Sequence, residues 1–426
     1  MNIDTKKTNL IEKVFCISLV LSIVGNVYHV GNTNLGYGEL ILFFSMAFCL
    51  IVSKGKALLG NKANPYFVFF ITYSLLITFI NAFLYRSSIS MTKTAVRLLR
   101  DGFYIVTIFV FSKSFFSADY TKRIFKYFCI VLSCYIIIQF VFYVLFGIYV
   151  PGLIDGLPID AGTASDYKAK ALSDAKILGF IRPNGFLGEP AQCAHVLSLG
   201  LLLALISTPN KASKICALLF SVAMVCTTSL NAIILLLFDF VVFFLKRLRT
   251  ANSESQFGTL VSFVFVLTLI VISYNSLPFV QTVVSRLSNL GTTTNGSVAI
   301  RVLRGPVFYL AMPLTGKLFG IGFGNFVGYR EAVGLWTAYE ETVEYFGMNA
   351  YILISTGLVG SLLLILSLIR YMKDKAFFNR AVICLLFVAG ISSSIYSTPF
   401  IALALSFAIF DRQEQRNTSN IQYGKT

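Results

Sequence analysis

KYFCIVLSCYIIIQFVFYVLFGI, residues 126–148, decides the fold. Beyond Lys126 at its start the run carries no charged side chain, and Gln139 is its one amide. A helix rises about 1.5 Å per residue, so roughly 20 such residues cross the ~30 Å hydrocarbon layer of a bilayer. Moving outward along the chain, eleven further apolar runs appear, at 12–28, 37–53, 65–84, 96–112, 190–207, 215–229, 231–245, 257–274, 350–370, 379–395 and 397–411. Composition agrees. Of 426 residues 56% are hydrophobic and 13% charged, against roughly 45–50% and ~25% in ordinary globular chains. Intrinsic disorder, a secreted disulfide scaffold and a cytosolic enzyme are excluded. The expectation is an all-α, polytopic integral membrane protein of about twelve transmembrane helices, a single membrane domain over 1–426.

The formal net charge of +16 raises the question of nucleic acid, and the placement of Lys and Arg answers it. With the N-terminus inside, 22 of the 35 basic residues fall in short inner segments, among them Lys54, Lys122, Arg123, Lys246, Arg247, Arg249, Arg370 and Arg380. Positive charge in such segments sets membrane orientation. The surplus is therefore topology, and no nucleic-acid partner is expected. The basic start and apolar stretch Val14–Val24 read as an uncleaved first helix, because no small-x-small cleavage site follows. All eight cysteines fall in spans, where thiols behave as small hydrophobes.

The other 13 basic residues occupy 85–100 and two long outer segments, 149–189 and 275–349. Loops of that length are more often functional than not. The second contains Phe308, Tyr309, Phe319, Phe323 and Trp336, enough apolar surface for short helices along the membrane interface. Arg97 and Arg100 share a helix face, with Asp101 four residues after Arg97 as an ion partner. Arg301 and Arg304 repeat the spacing; Arg182, Arg286, Lys317 and Arg330 stand singly. Two readings are open for these arginines. Either they snorkel to lipid headgroups and pair with Glu340, Glu341 and Glu344, or their guanidinium forks bind phosphate oxygens. GIGFGN (320–325) is a tight turn or a close backbone approach to a ligand. Glu189, just before Pro190, is either a carboxylate at a helix N-terminus or a catalytic base. His195 is a helix–helix contact or a catalyst, and Asp239, mid-span, marks a proton path or a lone buried acid.

Taken in order, RPNGFLGEP (182–190), SVAIRVLR (297–304), Pro313 to Gly316, GIGFGN (320–325), Asn349 and Gly357 to Gly360 resemble the motifs of Wzy-type O-antigen and capsular polysaccharide polymerases, within the O-antigen ligase/polymerase superfamily. The resemblance covers roughly 180–360. It implies an integral-membrane glycosyltransferase in the bacterial cytoplasmic (inner) membrane, multi-pass with both termini cytoplasmic, acting on undecaprenyl-diphosphate-linked oligosaccharide at the outer face. It also implies membrane lipid and a chain-length regulator protein as partners. By similarity Arg182, Arg301 and Arg304 match loop arginines that hold diphosphate and glycan. Two departures stand out: Gly347-Met348-Asn349 replaces the ligase histidine, and Ser229-Leu230-Asn231 lacks the usual Ser-Arg.

The chemistry expected is glycosyl transfer, with Glu189, Arg301 and Arg304 as catalytic residues and Arg182, Arg97, Arg100, Arg286 and Asn349 binding substrate. No Asp-x-Asp pair or His/Cys cluster suggests a metal, so no metal and no cofactor are expected. The alternatives are an O-antigen ligase-type glycosyltransferase and a lipid-linked oligosaccharide flippase or transporter. A transporter is expected to show internal halves and charged span centres, which this chain lacks apart from Asp239.

Overall fold

A computed structural model describes residues 9–55 (except 32 and 34), 65–159, 164–207 (except 179), 211–250, 297–335 and 346–411 (except 374). The described chain is all-helical, with isolated bridges at Tyr28–Ile159 and His29–Gly36 and no strand among the described residues. The helices are α1 Leu10–Gly25, α2 Tyr37–Val52, α3 Pro65–Leu84, α4 Met91–Val106, α5 Ala118–Phe146, α6 Ala164–Leu178, α7 Pro190–Leu202, α8 Lys211–Cys226, α9 Leu230–Thr250, α10 Ser297–Ala311, α11 Leu314–Phe319, α12 Phe326–Val333, α13 Met348–Met372, α14 Phe377–Ser392 and α15 Pro399–Phe410. Among the described residues three stretches are long and apolar enough to cross a membrane: Phe67–Leu84, Ala118–Phe146 and Met348–Met372. Shorter apolar helices include Tyr37–Val52, Pro190–Ile206, Phe377–Ser392 and Pro399–Phe410. This is the make-up of a membrane protein; the expected span at 257–274 lies outside the described residues.

Local chemistry sets the helix ends. The Glu39 carboxylate accepts from the Gly36 amide at 3.2 Å at the start of α2, a reach-back that satisfies an amide the helix leaves over. Pro190 and Pro399 open α7 and α15, where a missing N–H costs nothing. Gly147, left-handed at φ 66°, closes α5.

Contacts sort the helix ends into two sets. At one end Lys122 Nζ lies 2.5 Å from Asp411, Lys375 donates to the Ile409 carbonyl, Lys246 to the Ile206 carbonyl, and Arg249 sits over Phe377. At the opposite end Arg100 meets Glu39, Arg97 sits over Tyr396, Asn231 donates to Ser393 and the Met348 amide donates to the Ser393 carbonyl. These are called here the Lys122 end and the Arg97 end. The main core joins α1, α2, α4, α5, α7, α8, α9, α14 and α15 around Phe15, Phe125, Phe220 and Phe407, all fully buried.

The segment α10–α12 does more than lie across that bundle. Helix α13 breaks its ladder at Gly357 (φ 65°, ψ −171°), about 14 Å along from its start. The carbonyls of Ile354 and Ser355 just before the break accept instead from the amides of Ile321 (3.1 Å) and Gly322 (2.8 Å). In an apolar surround each backbone group needs such a partner, so the glycine loop repairs the helix it enters. A Cβ on Gly320 would strike the Ser355 carbonyl and the backbone of Thr356 and Gly357, and its φ of +83° disfavours one in any case. Where the sequence placed this segment along the interface, the structure seats α11 and Gly320–Gly322 beside the Gly357 break, with α12 back at Ser88 and Ile89 by the Arg97 end.

Candidate functional site at the Arg97 end

Loop Gly320–Asn325 rises from the Gly357 break to α4. Asn325 is fully buried; its Nδ2 donates to the carbonyls of Thr78 and Ile321, both at 3.0 Å, and its Oδ1 accepts from the Thr94 hydroxyl at 2.8 Å. The Phe323 amide donates to Thr78 Oγ1 (2.9 Å) and the Gly324 amide to the Tyr351 hydroxyl (3.2 Å). Of the two sequence readings of this run, these bonds describe a turn holding α3, α4 and α13 together.

Gly324 lies against the Arg97 side chain. Arg97 pairs with Asp101 at 3.5 Å, the i,i+4 contact the spacing predicts. Its guanidinium stands 4.1 Å from the Tyr396 ring centre and 5.6 Å from that of Tyr351. The two tyrosines stack at 4.1 Å and 12°. Asp101 Oδ1 also accepts from the Ser397 hydroxyl, while Oδ2 is buried with no hydrogen-bond partner. Arg100 turns elsewhere: its Nε is 2.5 Å from Glu39 Oε1, which also accepts from the Tyr104 hydroxyl at 3.1 Å.

A second cation group adjoins. Arg304 is 3% exposed, with its guanidinium 5.3 Å from the Phe346 ring centre. Burial, and then the neighbouring Arg330 guanidinium, hold its pKa below the ordinary arginine value. Phe346 contacts Phe308 and Phe326, and these rings form one cluster with Tyr351, Phe323 and Tyr396. Arg97 and Arg304 thus flank a single aromatic cluster. Arg301 is on α10 one turn before Arg304; its side chain, and the whole of Arg286, Trp336, Glu340, Glu341 and Glu344, lie outside the described residues.

The remaining sequence candidates lie on the approach to α7 and at the start of α13. Arg182 is half-buried in the segment leading into α7, which is fastened to α5 where Gln139 Oε1 accepts from the Gly185 amide at 2.9 Å. Glu189 is the residue before Pro190 at the α7 N-terminus, half-buried, its side chain making no cap. Asn349 Nδ2 donates to the Phe387 carbonyl at 2.8 Å, strapping α13 to α14. Sequence reading missed Tyr351, Tyr396 and Ser397. Tyr396 and Ser397 sit in a hydroxyl-rich turn, residues 392–398, that the short gap between the last two apolar runs could have flagged. Among the described residues no three of His, Cys, Asp and Glu gather as a metal site.

Compared with known protein families the chain matches no family model, and no curated protein matches it.

Proposed function

We propose that this protein is a Wzy-type polysaccharide polymerase, an integral-membrane glycosyltransferase that moves an undecaprenyl-diphosphate-linked glycan onto a lipid-linked repeat unit. The reading places the Arg97 end at the outer face of the bacterial cytoplasmic membrane, with both termini inside and the lysine-rich Lys122 end toward the cytoplasm. One observation carries it: the buried Arg304 guanidinium lies 5.3 Å from the Phe346 ring centre, against a buried aromatic cluster, with the charge of Arg330 near enough to lower its pKa. Guanidinium forks match phosphate oxygens in pairs. A lipid diphosphate is the dianion that a membrane-embedded enzyme meets at that face.

In the proposed reaction an acceptor sugar hydroxyl attacks the anomeric carbon of the donor glycan. The glycosidic bond to the lipid diphosphate breaks through an oxocarbenium-like state, as in glycoside chemistry generally. The leaving diphosphate takes the electron pair, and Arg304 and Arg330 stabilise its growing charge. Arg301 and Arg182 are assigned to the same diphosphate and to the glycan. Glu189 is the proposed base for the hydroxyl proton. Arg97, over the tyrosine stack, forms the sugar-facing edge with Asp101. Arg100, neutralised by Glu39, serves that edge by fixing α4 against α2, and Asn349 by holding the mouth of α13.

The test is transfer in vitro. Purified protein given one lipid-linked repeat unit is expected to yield a ladder of longer glycans. Arg304→Ala should shorten or abolish the ladder, by about a hundredfold or more in rate, while the protein stays inserted and folded. A ladder of full length and rate from Arg304→Ala overturns the diphosphate role. Leaflet exchange of the lipid without any ladder points to the flippase alternative, and transfer to a lipid A core acceptor alone to the ligase.

A further inference from the structure

Away from the arginines, a polar file runs into the bundle from the Arg97 end. Its mouth is a cavity of about 10 Å³, room for about one water, lined by His195, Asn231 and Ser392 among apolar neighbours. Asn231 Oδ1 accepts from the Ser392 hydroxyl at 2.8 Å. One turn beyond His195 on α7 comes Ser198, fully buried, whose hydroxyl donates to Asp239 Oδ1 at 2.9 Å. Asp239 is eight residues past Asn231 on α9, so the two share a face, and α7 packs on that helix. Asp239 is 0% exposed, and its second oxygen, Oδ2, is buried with no hydrogen-bond partner. It stands about 14 Å along α9 from Leu230, near the middle of a bilayer ~30 Å thick.

We infer that Asp239 is an exchangeable proton-binding site at the centre of the bundle, entered from the Arg97 end through the His195–Asn231–Ser392 cavity. An ionised carboxylate with an oxygen left without a donor is costly in an apolar interior, and intramembrane carboxyls that persist there commonly carry protons. A proton on Oδ2 removes the charge while Oδ1 keeps its bond from Ser198. A metal cation is the poorer guest, because it wants about six oxygens and the side chains assembled here are one carboxylate and one hydroxyl.

The path has one open end. Toward the Lys122 end the residues next along α7, the helical turn Leu203–Ser207 that continues it, and α9 are the buried, apolar Leu202, Ile206 and Val242. Titratable or charged groups on the elements packed against α9 are Cys193 and His195 on α7, Lys211, Lys214, Cys216 and Cys226 on α8, and Arg380 and Cys384 on α14; α9 itself adds Lys246, Arg247 and Arg249 in its last turns. Lys246 is committed to the Ile206 carbonyl. Within one turn of Ser198 on α7, His195 is the base. Protons therefore pass by way of the cavity and His195, and leave Asp239 as the pH at the Arg97 end rises.

Infrared difference spectra of the full chain in lipid test this. The C=O stretch of a protonated carboxyl is expected in wild type, absent from Asp239→Asn, bleached by alkaline buffer and shifted on transfer to D2O. Ser392→Leu, which fills the cavity mouth, should slow that isotope shift at least about tenfold. Identical wild-type and Asp239→Asn spectra overturn the site, as does a carboxyl band that neither bleaches nor shifts. An equal shift rate in Ser392→Leu overturns the route. In sided vesicles, a band that follows only the pH at the Lys122 end also overturns the route.

Discussion

Asn325 is the side chain whose removal discriminates most sharply between a structural turn and a loose loop. It makes three hydrogen bonds in a fully buried position: two donated, to the carbonyls of Thr78 and Ile321, and one accepted from Thr94. A buried hydrogen bond contributes about 1 kcal/mol net, and more when a partner is left unsatisfied. Thr94 retains a second acceptor, the Ser90 carbonyl at 3.2 Å, so its loss is the smallest of the three. Asn325→Ala is therefore expected to destabilise by about 3 kcal/mol. In a chain of this size that lowers the detergent unfolding temperature by several degrees. Asn325→Asp keeps the shape yet sets a carboxylate oxygen against two carbonyl oxygens, so it should cost at least as much as alanine. Unfolding followed by fluorescence of thiol probes or by light scattering reads both variants. An aspartate variant more stable than the alanine one refutes the donor assignment. Unchanged unfolding temperatures in both refute the claim that this loop holds α3, α4 and α13 together.

Three further outcomes follow from the same geometry. Gly320→Ala, at φ +83° and against the Ser355 carbonyl, should destabilise by about 1–3 kcal/mol from backbone strain alone, read as a lower unfolding temperature with Gly55→Ala, at φ +71° in open space, reporting the strain without the contact. Arg330→Gln removes the charge that lowers the Arg304 pKa; it should weaken glycan transfer, and a variant that transfers normally counts against the anion site. Treating the purified protein with EDTA should leave ladder formation intact, and a loss restored by a divalent cation would disprove the metal-independent mechanism.

Much of the architecture was legible because it rests on properties local to the chain. The run 126–148 becomes α5, ending at the left-handed Gly147. Pro190 opens α7 with Glu189 just outside it, and the Arg97–Asp101 spacing yields an ion pair. Helix α6 is less visible because its Ala- and Lys-containing sequence lies between two turn-rich stretches, 151–152 and 180–190. What could not be read are contacts between residues distant along the chain. Nothing local to Ser397 announces its bond to Asp101, nor does anything near Arg330 announce Arg304. The break at Gly357 is the clearest case. STGLVG (355–360) reads as continuous helix, and it departs from one only because amides from Ile321 and Gly322 replace the bonds the ladder gives up.

That replacement bears on what the arginines can do. A guanidinium stabilises a developing charge only if its position is fixed before the charge appears, and Arg97 and Arg304 come from helices with no sequence proximity. Their relative placement passes through the glycine loop. Gly322 is bonded to α13 at Ser355, Gly324 to Tyr351 on the same helix, and Asn325 to Thr94 on α4, one turn before Arg97. Phe323 and Phe326, on the same stretch of chain, pack in the aromatic cluster over which Arg304 lies. Removing the loop's bonds would leave each arginine on an intact helix while loosening the distance between them. Loop variants should accordingly impair transfer in step with their loss of stability. Arg304→Ala, which touches none of these bonds, should impair transfer by more than its loss of buried packing against Phe346 accounts for.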